Sequence, residues 1–569
     1  MGGIMNVHAL LHIPESAYCD CIDEHTVQIT LRTSAQDLFD AVTLVYGGKY
    51  EYYKRQSRVA MSKRFTDGTF DYYTVRLSLA DVRLLYIFEL TQNGSRVYFS
   101  EAGVSDTYDF ALSAYSSFQL AYINRADLLP TVDWMRRAVF YEIFVDRFCR
   151  GDAQKDDAYI DLRWGDVPDA KSFAGGDLQG ITEKLGYLAD LGVTAVYLTP
   201  VFRSVSNHKY DTADYYEIDP QFGDKQALRR LVESAHARGM KIVLDAVFNH
   251  CSEHLAQFRD VAARGKDSPY FDWFLIRGDK PDAREGNYEC FGSCRYMPKL
   301  DTSDPQVQKF LTDIGTYWIR ECDIDGWRLD VSDEVSHDFW RVFRKAVKAV
   351  KPDCVLIGEN WHDSTPFLRG DQFDGVMNYA LTKACMDYFA SGILDAQGFA
   401  DRLSGLYARH TRAVNFMMLN LLDSHDTHRF YSLVYKDPDK LLCALAVLFM
   451  HTGAPCLLYG TEVCTEGGYD PDCRRTMDWS ERVPRDIRPA IAALAALRRR
   501  EETARGEISF AADGGAFILE RTGDAVLRLT VNNTGGPLPF VARGKTLTEH
   551  NRAGGVLHAA GFVIESYRP

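Results

Sequence analysis

The sequence has no long apolar run, no basic excess and no paired CxxC motifs, and each absence narrows what the chain can be. Its longest apolar stretch, LLCALAVLFM (441–450), is too short to cross a bilayer. Sixty-five lysines and arginines stand against 79 acidic residues, a formal net charge of −14. Phosphate backbones need a basic face, so nucleic acid is excluded as a partner. An acidic excess of this size keeps a protein soluble and names no partner. The thirteen cysteines are scattered: Cys19 and Cys21 are too close for a zinc finger. Cys290 with Cys294, and Cys464 with Cys473, lack the second pair that completes a zinc site. They read as thiols of a reducing compartment. The start, MGGIMNVHALLHIPES, has neither a basic n-region nor a long apolar h-region, so no signal peptide is expected. A soluble cytoplasmic protein is the expectation.

What is present is a change of rhythm. A chain of 569 residues is too long for one core. Residues 1–125 read as an N-terminal β-sandwich of short alternating strands, with turns at Asp67-Gly68 and Asn93-Gly94. From 126 to 503, eight strand-like runs alternate with helical patterns: VFYEIFVDRF (139–148), GVTAVYLTP (192–200), MKIVLDAVF (240–248), IDGWRLDV (324–331), CVLIGEN (354–360), FDGVMNY (373–379), NFMMLNLLDS (415–424) and APCLLYG (454–460). Eight such units predict a central (β/α)8 TIM barrel. The connection after the third strand, about 249–304, is too long for a loop and predicts an inserted subdomain. Residues 504–569 return to short strands and predict a C-terminal β-domain.

The strand ends carry the chemistry. In IDGWRLDV the period of two puts Gly326, Arg328 and Asp330 on the inward face, and Trp327, Leu329 and Val331 on the outward one. A buried charge needs a partner, and the neighbouring arginine is expected to lower the pKa of Asp330 and keep it ionised. A structural ion pair filling a barrel layer is the plain alternative. Glu359 ends the next strand beside Trp361, a setting that raises a carboxyl pKa and suits a general acid. His425 and Asp426 follow strand seven; Asp245, Asn249 and His250 end strand three. Carboxylates at four strand ends lie on the face where barrel enzymes keep their sites. Two on adjacent strands suit double displacement at an acetal carbon, at the short separation of about 5–5.5 Å that gives retention. Metal-dependent hydrolysis, with Asp245, His250, His425 and Asp426 as ligands, is the rival. No HxH pair follows strand one to support it.

DAVFNH, GWRLDVSDE, GENWHD and SHD, in this order, resemble the four short regions of the α-amylase superfamily. FAGGDLQGI (173–181), KYDTADYYEIDPQFG (209–223) and GAPCLLYGTE (453–462) match as well. MPKL (297–300) resembles a marker of the branch that holds neopullulanase, cyclomaltodextrinase and maltogenic amylase. The resemblance covers nearly the whole chain, including a starch-binding-like N-terminal module. It implies a retaining α-glycosidase acting on α-1,4-glucosidic bonds of cyclodextrins, maltodextrins and pullulan, with transglycosylation. By motif position Asp330 corresponds to the nucleophile, Glu359 to the acid/base and Asp426 to the third carboxylate. Arg328 would orient Asp330, His250 and His425 would contact hydroxyls, Tyr210 would stack on the sugar, and Asp470 and Arg474 would add substrate contacts or form a surface ion pair. The alternatives are a glucanotransferase, an α-1,6-cleaving relative, or a glucan-binding protein without catalysis. A homodimer is implied, in which one module covers the partner's site. This module has no Trp, so Tyr50, Tyr52, Tyr53, Tyr72 and Tyr73 would supply contacts.

Three departures from the family pattern stand out. Many relatives bind calcium in an NGDPxND segment; here it is RGDAQKD (150–156), with Arg150 and Lys155 where oxygen ligands would be. No metal or other cofactor is therefore expected. MPKLN is replaced by MPKLD, with Asp301, and VANEV by VSDEV, with Ser332 and Asp333. Asn360 stands where the branch often has Ile after the acid/base.

Overall fold

The computed structural model describes residues 5–480 and 486–568. They fall into two compact units: Met1–Thr131 with Leu394–Phe416 and Ile508–Glu520, and Val132–Ile393 with Met417–Glu507 and Arg521–Pro569.

The first unit contains the expected sandwich. One sheet orders Cys19–Cys21, Thr26–Ser34, Phe70–Ser78 and Ser62–Thr66; the other runs Ser57–Ala60, Ala41–Gly48, Leu84–Gln92, Ser95–Ser100 and Gly103–Ser105. Asn93 and Gly94 both take positive φ, 53° and 75°, as a two-residue hairpin turn requires. Val27, Ile29 and Leu31 of the first sheet meet Leu44, Phe88 and Leu90 of the second in one core. Two of the five tyrosines named as contacts are not available. Tyr52 is buried, its hydroxyl donating to the Val45 carbonyl at 3.0 Å. Tyr72 is buried and donates to Asp67 at 2.9 Å. Tyr50 and Tyr53 are exposed.

The second unit is the (β/α)8 barrel. Its strands are β1 (Phe140–Ile143), β2 (Ala195–Leu198), β3 (Lys241–Ala246), β4 (Gly326–Leu329), β5 (Val355–Gly358), β6 (Gly375–Val376), β7 (Leu419–Leu421) and β8 (Ala454–Leu458). Each falls within one of the eight runs read from the sequence. They pair in parallel in the order β6-β5-β4-β3-β2-β1-β8-β7. The ring closes between β6 and β7 through a single bridge, Met377 to Leu419, with the Asn378 N–H donating to the Leu419 carbonyl at 2.8 Å. This seam needs a glycine: a Cβ on Gly375 would lie 1.9 Å from the Met417 carbonyl oxygen. The strands are near-continuous apolar runs because both faces are covered. Helices Leu178–Leu191, Lys225–His236, Pro305–Cys322 and His337–Val350 lie between them in sequence. Asp177, Asp224 and Asp304 cap the first three through backbone N–H groups.

The inserted segment after β3 contains one α-helix, Ala256–Arg264, two short 3-10 helices, Gly265–Asp267 and Phe271–Trp273, and otherwise turns and isolated bridges. Its far end returns to the end of β3 through the bridge His250–Lys299 and the Leu300 N–H, which donates to the Asn249 carbonyl at 3.0 Å; the bridge Cys290–Pro298 ties the segment to itself. Beyond the barrel, Val526–Asn532, Leu538–Pro539 and Lys545–Ala553 each pair antiparallel with Val556–Tyr567. These strands form the C-terminal β-region.

Candidate active site

A cavity of about 560 Å³ opens at the C-terminal ends of the strands. Asp330, Glu359, Asp426, His250, Tyr210, Asp470 and Arg474 all line it. Seven of the nine residues read from the sequence thus meet on one surface. The other two, Arg328 and His425, lie directly behind it and are almost wholly buried.

Arg328 is the hub. Its Nη1 donates to Asp330 Oδ1 at 2.7 Å and to Asp245 Oδ2 at 3.0 Å, and its Nη2 lies 2.8 Å from Glu359 Oε1. The last contact is an ion pair rather than an aligned hydrogen bond, since Nη2 has no partner of good hydrogen-bond geometry. One planar guanidinium therefore serves three carboxyls from the fixed directions of its fork, where a lysine would offer a point charge. Asp245 also accepts from the Tyr197 and Tyr210 hydroxyls, at 2.6 and 3.0 Å. It is 1 % exposed and belongs to the support of the site rather than its surface.

The chain leaves β4 sharply. Asp330 N–H donates to the Ala246 carbonyl at 3.1 Å, and Val331 then turns into the left-handed region, φ 43° and ψ 45°. A β-branched residue rarely adopts this backbone. The expected alternation ends here: Val331 does not point outward but lines the cavity. Its N–H donates to Glu359 Oε2 at 3.0 Å. Glu359 thus faces a donor at each oxygen, while Asp330 Oδ2 is buried without one.

Three acids around one cation cannot all be ionised at low cost. Burial pushes Asp330 well above the usual carboxylate range, and Arg328 opposes this without prevailing; Glu359 pushes it further up. Burial also raises Glu359, again against Arg328. The expectation that Arg328 alone keeps Asp330 ionised is corrected: the guanidinium acts in that direction, but burial and the neighbouring carboxyl outweigh it. Asp330 and Glu359 are thus both raised, by burial first and, at Asp330, by the Glu359 carboxyl as well.

Asp426 is set apart. Burial would raise it, but His425 at 3.0 Å and Arg474 at 2.8 Å hold it well below the usual range. The His425 ring lies between Glu142 Oε1 at 2.5 Å and Asp426 Oδ2, and close to the Tyr210 hydroxyl at 2.7 Å. Burial disfavours its charge, yet Asp426 and Glu142 push its pKa up to about 10, so it is an imidazolium at neutral pH. His250 is the opposite case. Burial lowers it to about 3, its Nε2 has no partner, and its ring stacks on Phe291 at 4.8 Å. It offers a neutral ring nitrogen to a hydroxyl. Arg474 is buried and pairs at 2.9 Å with Asp470, which is exposed, so the pair lies where the cavity meets solvent and both readings from the sequence, a substrate contact and an ion pair at the surface, stay open.

Several residues of the site were not read from the sequence. Glu142 sits on β1 and, besides its contact with the His425 ring, accepts from the His425 N–H at 3.1 Å. A lone acid inside VFYEIF was its only signal. Phe291, Cys294, Tyr296 and Met297 from the inserted segment form one wall. Trp361, read from the sequence only as a neighbour of Glu359, stacks on Tyr379 at 4.0 Å and stands half-exposed at the rim.

At the segment read as a lost calcium site, Lys155 Nζ donates to Asp177 Oδ2 at 2.8 Å, to the Gly175 carbonyl at 2.5 Å and to the Gln221 carbonyl at 3.3 Å. Arg150 Nε donates to the Ala174 carbonyl at 2.6 Å. These residues do not fit a calcium ion, which would share its oxygens with an ammonium group. Among the described residues no group of three or more His, Cys, Asp or Glu side chains could hold a metal.

Comparison with known proteins gives matches along most of the chain. Residues 142–488 match the family described as "Alpha amylase, catalytic domain", and residues 5–124 match "Alpha amylase, N-terminal ig-like domain". A cyclomaltodextrinase of Geobacillus thermopakistaniensis is 41% identical over 559 residues, 95% of this chain and 94% of that protein. Neopullulanase 2 of Thermoactinomyces vulgaris is 41% identical over 545 residues, 93% of this chain and 92% of that protein. The solved structure of a cyclomaltodextrinase superposes with a TM-score of 0.90 at 36% identity, covering 99% of this chain and 98% of that one.

Proposed function

The chain belongs to the α-amylase family, and on that footing we propose that it hydrolyses α-1,4-glucosidic bonds of cyclodextrins and short maltodextrins, with retention of configuration. The observation that carries this reading is the convergence of Asp330, Glu359 and Asp426 on one cavity, the first two tied to a single guanidinium.

In the reaction Asp330 attacks the anomeric carbon and forms a glycosyl ester. Glu359 protonates the departing oxygen, then takes a proton from the water that cleaves the ester. At the moment of attack Glu359 must therefore carry a proton and Asp330 must not. Asp426, held ionised by His425 and Arg474, accepts hydroxyls of the distorted sugar. His250 and Tyr210 line the same pocket, and Asp470 and Arg474 extend it. An acceptor sugar in place of water gives transglycosylation. Pullulan, cleaved by relatives named neopullulanases, is included among the substrates. The buried thiols Cys19, Cys149, Cys251 and Cys354 are unpaired, which supports a cytoplasmic location. No helix among the described residues is long and apolar enough to cross a membrane. A homodimer is part of the proposal and is checked by light scattering.

Parallel assays on β-cyclodextrin, pullulan and soluble starch test it. Cyclodextrin should be cut fastest, and proton NMR should show the α-anomer of the product first. A β-anomer appearing first would overturn the retaining mechanism, and starch as the preferred substrate would overturn the reading of a site covered by the partner's module. A mainly transferring enzyme would show disproportionation ahead of hydrolysis. No turnover on any of the three would move the assignment to a glucan-binding protein.

Two further outcomes follow from the electrostatics. The pH profile of kcat/KM should be bell-shaped. Asp330 must be ionised, so activity falls on the acid side as it takes up a proton. Glu359 must be protonated, so activity falls on the alkaline side as it loses one. Both groups are raised, so both limbs should lie above the ordinary carboxylate range, and neither should report Asp426. We also propose that the enzyme needs no calcium. EDTA should leave both activity and Tm unchanged, while Lys155→Gln, which leaves the buried Asp177 without its cation, should cost about 3 kcal/mol or less of stability. Loss of activity in EDTA that calcium restores would refute it.

A further inference from the structure

Two of the family departures noted in the sequence, Ser332 and Asn360, are in contact. The Ser332 hydroxyl donates to Asn360 Oδ1 and also lies within reach of the Glu359 carbonyl, at 3.1 Å; the Ser332 N–H reaches that same carbonyl at 3.3 Å. Both side chains are buried, Ser332 at 0% exposure and Asn360 at 3%. Asn360 Nδ2 has no partner, so the bond from the serine hydroxyl to Oδ1 is the one that holds this amide. Ser332 is itself pinned by Trp340, whose Nε1 donates to the Ser332 carbonyl at 2.9 Å. Gly358 makes room for it: a Cβ there would lie 2.8 Å from the serine oxygen. One residue earlier, the left-handed Val331 delivers its N–H to the Glu359 carboxyl. The turn after β4 therefore grips Glu359 at both its backbone and its side chain.

We propose that Ser332 and Asn360 form a single positioning pair that seats Glu359 against the leaving oxygen. Neither residue lines the cavity, so neither touches substrate. An apolar pair at these two positions would need neither bond. A mixed pair is the incompatible state, because a buried polar group without its partner costs more than two apolar groups in contact. With Ser332→Ala the amide of Asn360 loses its donor and turns, and Glu359 moves with the backbone it shares. With Asn360→Ile the hydroxyl loses its acceptor. This inference rests on the reading of Glu359 as the acid.

The test is a double-mutant cycle on two substrates, with kcat/KM as the readout because it reports the step that breaks the glycosidic bond. Maltohexaose needs its leaving oxygen protonated; α-maltosyl fluoride departs with little acid assistance. S332A and N360I should each lower kcat/KM on maltohexaose about tenfold. The S332A/N360I variant should return to within about threefold of the parent. On maltosyl fluoride all three should stay within about twofold. A double variant about a hundredfold down would overturn the pairing. Equal losses on both substrates, or no loss in either single variant, would overturn the positioning role. E359Q separates this from the underlying reading: undiminished cleavage of maltohexaose by E359Q would remove Glu359 as the acid whatever the cycle shows. Thermal melts on each variant exclude unfolding as the cause.

Discussion

Asp330→Asn should lower kcat by about 10^4-fold or more while maltohexaose still binds, because a covalent step loses its nucleophile. Calorimetric titration should find the affinity within a few fold of the parent, since His250, Tyr210, Asp470 and Arg474 still line the cavity. The variant should also melt no lower than the parent. Asp330 is buried with one oxygen unpartnered, in the company of two other carboxyls, and replacing it removes a charge that folding disfavours. Activity and stability would then move in opposite directions at one residue. Turnover retained near the parent level would refute the nucleophile assignment. A steep fall in affinity would mean that the change has disturbed the pocket as well.

The second large effect is at Arg328. Arg328→Ala leaves Asp245, Asp330 and Glu359 facing each other in a buried space. Removing one partner of a buried ionic cluster costs about 3–5 kcal/mol, seen as a lower midpoint in denaturant. Activity should fall by about 10^3-fold or more, since the two reacting carboxyls would both hold protons near neutrality and the nucleophile would be lost. Arg328→Lys separates charge from shape. A single ammonium restores part of the stability but cannot reach three carboxyls in fixed directions, so activity should stay at least tenfold below the parent. If the lysine variant were fully active, the guanidinium would be a counter-charge only and its fork geometry irrelevant.

The strand ends were legible because buried strands make charged residues conspicuous. Arg328 and Asp330 two apart, Glu359 after VLIG, and His425-Asp426 after LNLLDS each follow or interrupt an apolar run, and all of them meet at or just behind one mouth. Glu142 interrupts such a run too, but its meaning depends on β1 lying next to β8, with β7 beyond, a neighbour relation that exists only once the ring closes. Val331 was misread for a local reason. Period-two alternation holds while the backbone stays extended, and at Val331 it does not. The wall from the inserted segment was not legible, because turns carry no period from which to read direction. Nor was Tyr52, whose place in YEYYK gave no hint that it alone of the three would be buried. The balance at Asp330 was out of reach as well: the sequence shows the arginine two residues away, but not how many acids share it.

The seam between β6 and β7 has a consequence for how the barrel breathes. A ring of staves is as tight as its loosest joint, and here that joint is a two-residue stave held by one bridge and brought close by a glycine. Amide exchange at Asn378 should therefore outpace exchange along β2 to β4. Glu359 ends β5 on one side of that joint, and Asp426 follows β7 on the other. The slackest part of the hoop is thus also the gauge that sets the gap between two of the three carboxyls. A glucan lodged between them would act as a clip across the joint, and slowed exchange at Asn378 would be its mark.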